Sequence, residues 1–100
     1  LNNFKRQIPL EEVADLANMT VHGFCRYFKK RTDKTYVNFL IDIRLGHACK
    51  LLSKGESDIA EIAYQSGFNN ITHFNRKFKE KKKMTPSAYR QNLRFEKVLQ

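Results

Sequence analysis

Apolar residues recur along this chain at intervals of three and four, the period of an amphipathic helix. Leu10, Val13, Ala14 and Ala17 stand at i, i+3, i+4 and i+7 and form one apolar face. Pro9 lies near the start, where its missing N–H costs nothing, and Glu11 and Glu12 suit the positive end of a helix dipole. Asn18-Met19-Thr20 breaks the pattern, and Thr20 can cap a second helix that buries Val21, Phe24 and Phe28. The same order returns downstream. Asp58-Ile59-Ala60-Glu61 reads as a capping box, Ile59, Ile62 and Ala63 line a buried side, and Gly67 provides the turn. Asn69 or Asn70 caps the next helix, which buries Ile71, Phe74 and Phe78, and Thr85-Pro86 opens a last short helix.

The two stretches are copies of one unit. Leu10 and Val13-Ala14 match Ile59 and Ile62-Ala63 at an offset of 49. After a one-residue insertion, Phe24, Arg26, Phe28 and Lys29 match Phe74, Arg76, Phe78 and Lys79 at an offset of 50. Thr35, Phe39 and Arg44 then match Thr85, Tyr89 and Arg94. Two copies are too few for a solenoid, so a duplicated helix-turn-helix is expected. Between them, Tyr36 to Leu52 predicts one helix, capped by Thr35 and ended by Ser53-Lys54-Gly55. Tyr36, Leu40 and Ile43 fall on one side of it, and Val37, Ile41, Leu45, Ala48 and Leu52 on another. Such a helix packs against both units and forms a spacer about 25 Å long. The expected fold class is all-α, with subdomains at residues 1–35 and 55–100 joined by a linker helix at 36–54.

Charge changes the picture. Nineteen Lys and Arg oppose ten Asp and Glu, a formal net charge of +9 over 100 residues. The whole excess sits in two segments, and the remaining charges cancel. Residues 26–34 hold Arg26, Lys29, Lys30, Arg31 and Lys34 against Asp33. Residues 76–83 hold Arg76, Lys77, Lys79, Lys81, Lys82 and Lys83 against Glu80. Each is the second helix of its unit, and paired cationic clusters are what a polyanion selects. Two Cys are too few for a secreted disulfide scaffold and point to a reducing compartment. No apolar run reaches the ~18 residues of a membrane span, and no signal peptide opens the chain. It begins Leu1-Asn2-Asn3 without a Met and is read as part of a longer protein.

One long motif carries a family resemblance. Ile62-Ala63, three residues, Gly67-Phe68, five residues, Phe74, one residue, Arg76, one residue and Phe78-Lys79 resemble the signature of the AraC/XylS transcription regulators. Thr85-Pro86, two residues and Tyr89-Arg90 complete it, and the first unit and linker fit more loosely, so the resemblance covers about residues 8–94. It implies a bacterial DNA-binding domain of two homeodomain-like helix-turn-helix units, acting on double-stranded promoter DNA in the cytoplasm, at the nucleoid. It also implies an N-terminal sensing domain outside this chain and RNA polymerase as a further candidate partner, with no cofactor and no membrane. Two departures stand out. Family members carry Gly after each recognition helix, where this chain has Asp33 and Lys83, so each helix either stops there at a small conformational cost or runs slightly further. Gly23 lies inside the first recognition helix and costs about 1 kcal/mol relative to Ala.

Helix geometry and the resemblance select the same residues. With Val21, Phe24 and Phe28 inward, the opposite side of the first recognition helix presents His22, Arg26 and Lys29, flanked by Cys25 and Lys30. In the second, Thr72, Arg76 and Lys79 face away from the core, flanked by Asn75. His22, Cys25, Arg26, Thr72, Asn75 and Arg76 are therefore the base-contacting candidates, Arg and Asn being able to pair with guanine and adenine edges. Thr20, Lys29, Lys30, Asn70, Lys77 and Lys79 are the phosphate-contacting candidates. An ion pair across the turn, to Glu12 or Glu61, is the competing assignment for each Arg. The aromatic residues read as core, and Cys49 as a packed thiol. His22-x-x-Cys25 and His47-x-Cys49 are metal-capable, but the second pair points to different sides of a helix, short of the four converging ligands of structural zinc. No phosphate loop, oriented nucleophile or carboxylate pair suggests an enzyme. The rival readings are a non-specific RNA or architectural DNA binder, and a protein-interaction module built on Lys81-Lys82-Lys83.

Overall fold

Apart from the first helix, which starts at Pro9 with no side-chain cap, each predicted helix start is a polar side chain that accepts from an otherwise orphaned backbone N–H. In the computed structural model, which describes residues 9–55 and 57–99, Thr20 Oγ1 accepts from Gly23 and Thr35 Oγ1 from Asn38, at 3.0 and 3.1 Å. Asn70, rather than Asn69, accepts from His73 at 2.9 Å, and Thr85 from Ala88 at 3.1 Å. Each cap contributes about 1 kcal/mol. Asp58 caps through Ala60, but Glu61 does not reach back to close a capping box; its carboxylate accepts from Gln65 one turn on.

The described residues form six helices: α1 (Leu10–Leu16), α2 (Val21–Thr32), α3 (Tyr36–Lys54), α4 (Ile59–Gln65), α5 (Ile71–Lys82) and α6 (Pro86–Leu99). The described residues contain no strand, and the fold is all-α. The last helix is longer than expected. The duplication is legible in the backbone: α1 and α4 have seven residues each, α2 and α5 twelve. Both turns pivot on a positive φ, 58° at Asn18 and 97° at Gly67, positions that correspond in the repeat. Both recognition helices stop where the sequence lacks the family's glycine. Asp33 and Lys83 take left-handed φ of 60° and 65°, and their N–H groups close on Lys29 O and Lys79 O. A non-glycine residue there costs about 1–2 kcal/mol, which the helix-ending bond and the packing beyond it offset.

The linker is less a spacer than a shared wall. Its first turns turn Tyr36, Phe39 and Leu40 toward the first unit, where Phe28 meets Tyr36 at 5.5 Å and Phe39 at 5.2 Å, ring to ring. Phe24 meets Tyr36 at 5.6 Å. From Ile41 onward α3 belongs to the second unit: Ile41, Leu45, Ala48 and Leu52 form one continuous core with Ile62, Ala63, Phe68, Phe74 and Phe78. Cys49 is packed beside that core, as expected, with Tyr89. Three positions depart from the expected burial. Val37 is 60% exposed, because it falls in the gap between the two cores. Ile71 opens α5, with no helical turn before it to cover its side chain, and Ala17 lies beyond the last residue of α1; both are exposed.

Candidate nucleic-acid interface

The core side of each recognition helix leaves a basic side in solvent. On α2, His22, Arg26, Lys29 and Lys30 are exposed and Cys25 is half-buried. On α5, Thr72, Asn75, Arg76 and Lys79 are exposed, whereas Lys77 is half-buried and pairs with Glu80 at 3.8 Å. Thr20 and Asn70 are exposed at the helix starts but are already used as caps. Each keeps donor hydrogens, on the hydroxyl and the amide nitrogen, that an anion can take. Lys29 Nζ donates to Asp33 O at 3.3 Å, one turn on, and so leans toward the negative end of its own helix.

Gly23 has a local reason. A Cβ at this position would lie 3.1 Å from Thr20 Oγ1, so the glycine lets the capping hydroxyl close on the helix it starts. Its propensity cost is set against a well-formed cap.

Arg76 does not use the acid across the turn: its Nη2 lies 3.2 Å from His73 Nδ1, while Glu61 is taken by Gln65. His73, Arg76 and Lys77 line a cleft of 510 Å³ with Leu10, Tyr36, Leu40 and the buried Arg44. Burial draws the Arg44 guanidinium below its ordinary pKa, opposed by Tyr36. His73 was not among the sequence candidates, although its spacing three residues before Arg76 put it within reach.

Asp42 was also missed. Its carboxylate takes Lys34 at 2.7 Å, from the turn after α2, and Lys81 at 3.5 Å, from the end of α5. The Lys34 hydrogen bond is the main reason its pKa is lowered, and burial opposes it. One acid on α3 thus ties the ends of both recognition helices, through partly exposed pairs worth at most about 1 kcal/mol each. No short-range pattern marks such a residue. Among the described residues no group of three or more His, Cys, Asp or Glu is placed to hold a metal, and no helix is long and apolar enough to cross a membrane.

Two helix-turn-helix units with a twelve-residue basic helix in each, packed on one shared long helix, are a specific architecture. Residues 13–92 match the helix-turn-helix domain family. The chain is a DNA-binding domain of the AraC/XylS family. It is 34% identical over 89 residues to the HTH-type transcriptional activator RhaS of Mannheimia succiniciproducens, covering 89% of this chain and 33% of RhaS. It is also 34% identical over 88 residues to YdeC, an uncharacterised HTH-type transcriptional regulator of Bacillus subtilis, covering 88% of this chain and 30% of YdeC. This AraC-type domain thus spans about a third of the length of these curated relatives. The DNA-binding domain of AdpA, a global transcriptional factor crystallised with a target DNA, superimposes with a TM-score of 0.89 at 26% identity, covering 95% of this chain and 86% of that one.

Proposed function

We propose that this AraC-type domain reads double-stranded promoter DNA as part of a bacterial transcription regulator, with α2 and α5 in adjacent major grooves. The observation that carries the reading is the repeated register: two twelve-residue helices present their basic sides from units that share α3. His22, Cys25, Arg26, Thr72, Asn75 and Arg76 contact base edges; Thr20, Lys29, Lys30, Asn70, Lys77 and Lys79 contact phosphates. Residues 1–35 and 55–100 act as the two reading subdomains and 36–54 as the helix between them. The domain carries out no catalysis. It works in the cytoplasm, on the nucleoid, under a sensing domain elsewhere in the regulator and with RNA polymerase as the machinery it recruits or blocks.

Adjacent major-groove faces recur every ~34–36 Å along one side of B-DNA. The domain measures 50 Å along its long axis and 24 and 22 Å across, long enough for two such contacts. Selection from a randomised duplex pool should therefore enrich a bipartite, asymmetric motif with its halves about one turn apart. Inserting five base pairs between the halves should abolish joint protection in footprints, since one half turns to the far side. A pool that enriches nothing, or equal competition by random DNA and RNA, would establish non-specific polyanion binding instead.

A further inference from the structure

One turn before Arg76, α5 carries a side chain that the DNA-reading set leaves out. His73 is anchored twice: its backbone N–H donates to the Asn70 cap at 2.9 Å, and its ring lies against the buried Phe68 ring, centroids 5.8 Å apart. Thus held, Nδ1 lies 3.2 Å from Arg76 Nη2. A guanidinium offers donors only, so Nδ1 is the acceptor and the neutral ring carries its proton on Nε2. An exposed Arg otherwise samples many rotamers, and ordering it on a base edge costs affinity.

We propose that His73 is a positioning residue that holds Arg76 in its DNA-reading conformation, and that protonation of the His73 ring releases it. The proposal rests on the reading of Arg76 as a base contact. The titratable and charged groups around the ring are Arg76, Lys77 and Glu80 on α5, with Arg44 and Tyr36 on α3. Three of them are cations. Burial first, then Arg76 and Lys77, hold the ring below the ordinary imidazole value of 6.5, with Glu80 opposing. Near pH 7.5 the ring is neutral and the acceptor is present. On acidification Nδ1 takes a proton, which removes the acceptor and sets a second positive charge beside the guanidinium. Non-specific attraction to phosphate does not fall with that added charge, so the loss belongs to selectivity alone.

The test measures selectivity, the ratio of affinities of the 100-residue chain for a pool-selected duplex and a random one. His73→Phe keeps a ring against Phe68 and removes the acceptor; His73→Asn keeps an acceptor near the position of Nδ1 and cannot titrate. His73→Phe should lower selectivity roughly three- to tenfold at pH 7.5, and should add nothing in an Arg76→Ala background. Because the ring is held below 6.5, wild-type selectivity should fall as the pH drops below that value, and His73→Asn should remove that fall. The idea is overturned if His73→Phe leaves selectivity unchanged, or lowers it equally without Arg76. It is also overturned if His73→Asn retains the whole pH dependence, which then has another source. Should His73→Phe show no thermal unfolding transition, the His73→Asn profile decides alone. If Arg76→Ala itself leaves selectivity intact, the base-contact reading falls together with this proposal; if only the His73 variants are silent, that reading stands.

Discussion

The two helix-turn-helix units share a plan but differ in foundation. Under α5, Phe74 and Phe78 are each 0% exposed and join a core that runs through α3, α4 and the turn at Phe68. Under α2, the corresponding Phe24 is 8% exposed and Phe28 is only half-buried, held by rings of α3 rather than enclosed. The linker explains the inequality. It contributes its first turns to the first unit and most of its length to the second, so the second has the larger wall to pack on. A reading helix on a closed core presents its side chains with less freedom than one on an open cluster. On the reading proposed above, the second unit is suited to fixed readout and the first to a looser contact.

The widest separation between the units should appear in stability. Phe74→Ala should cost about 3–5 kcal/mol, as truncation of a fully buried Phe does. Phe28→Ala should cost clearly less, because solvent already reaches that ring. Urea denaturation of both variants checks this, and equal losses would mean that the two cores unfold as one unit of equal tightness. Readout is the next difference. Arg76→Ala should cost about 1–3 kcal/mol on a selected duplex and much less on random DNA. Arg26→Ala should cost less on the selected duplex, since its helix is less firmly held; titration with both duplexes measures each loss. A greater loss at Arg26 would reverse the ranking. The smallest effect should be common to both units. Asp33→Gly and Lys83→Gly each relieve a left-handed non-glycine residue and should stabilise by about 1 kcal/mol. If only one of them raises the thermal midpoint, the helix ends differ in strain despite their matching φ.

Much of this was legible in sequence because it is local. A cap needs only the side chain and the backbone N–H two or three residues on, so Thr20, Thr35, Asp58 and Thr85 could be read directly. Exposure of the basic side follows from about 100° of turn per residue once the phenylalanines are set inward. Local rules also failed in identifiable places. The capping box at Asp58 stayed open because Glu61 had a second neighbour, Gln65, at the helical spacing of four. Val37 and Ile71 have the right period for burial, but no element covers them.

The sequence by itself determined six helical segments in all but the length of the last, their duplication, and the concentration of charge on two of them. Periodicity, caps and composition act over a few residues and survive any arrangement of the whole. Only the tertiary structure decided how α3 is divided between two cores, which gives the units unequal support. It alone brought Lys34 and Lys81 to Asp42, from positions 8 and 39 residues away along the chain. It also seated the His73 ring on Phe68 beside Arg76. These contacts depend on where helices cross, and crossing is set by the fit of buried side chains across the whole fold, which no short window of sequence contains.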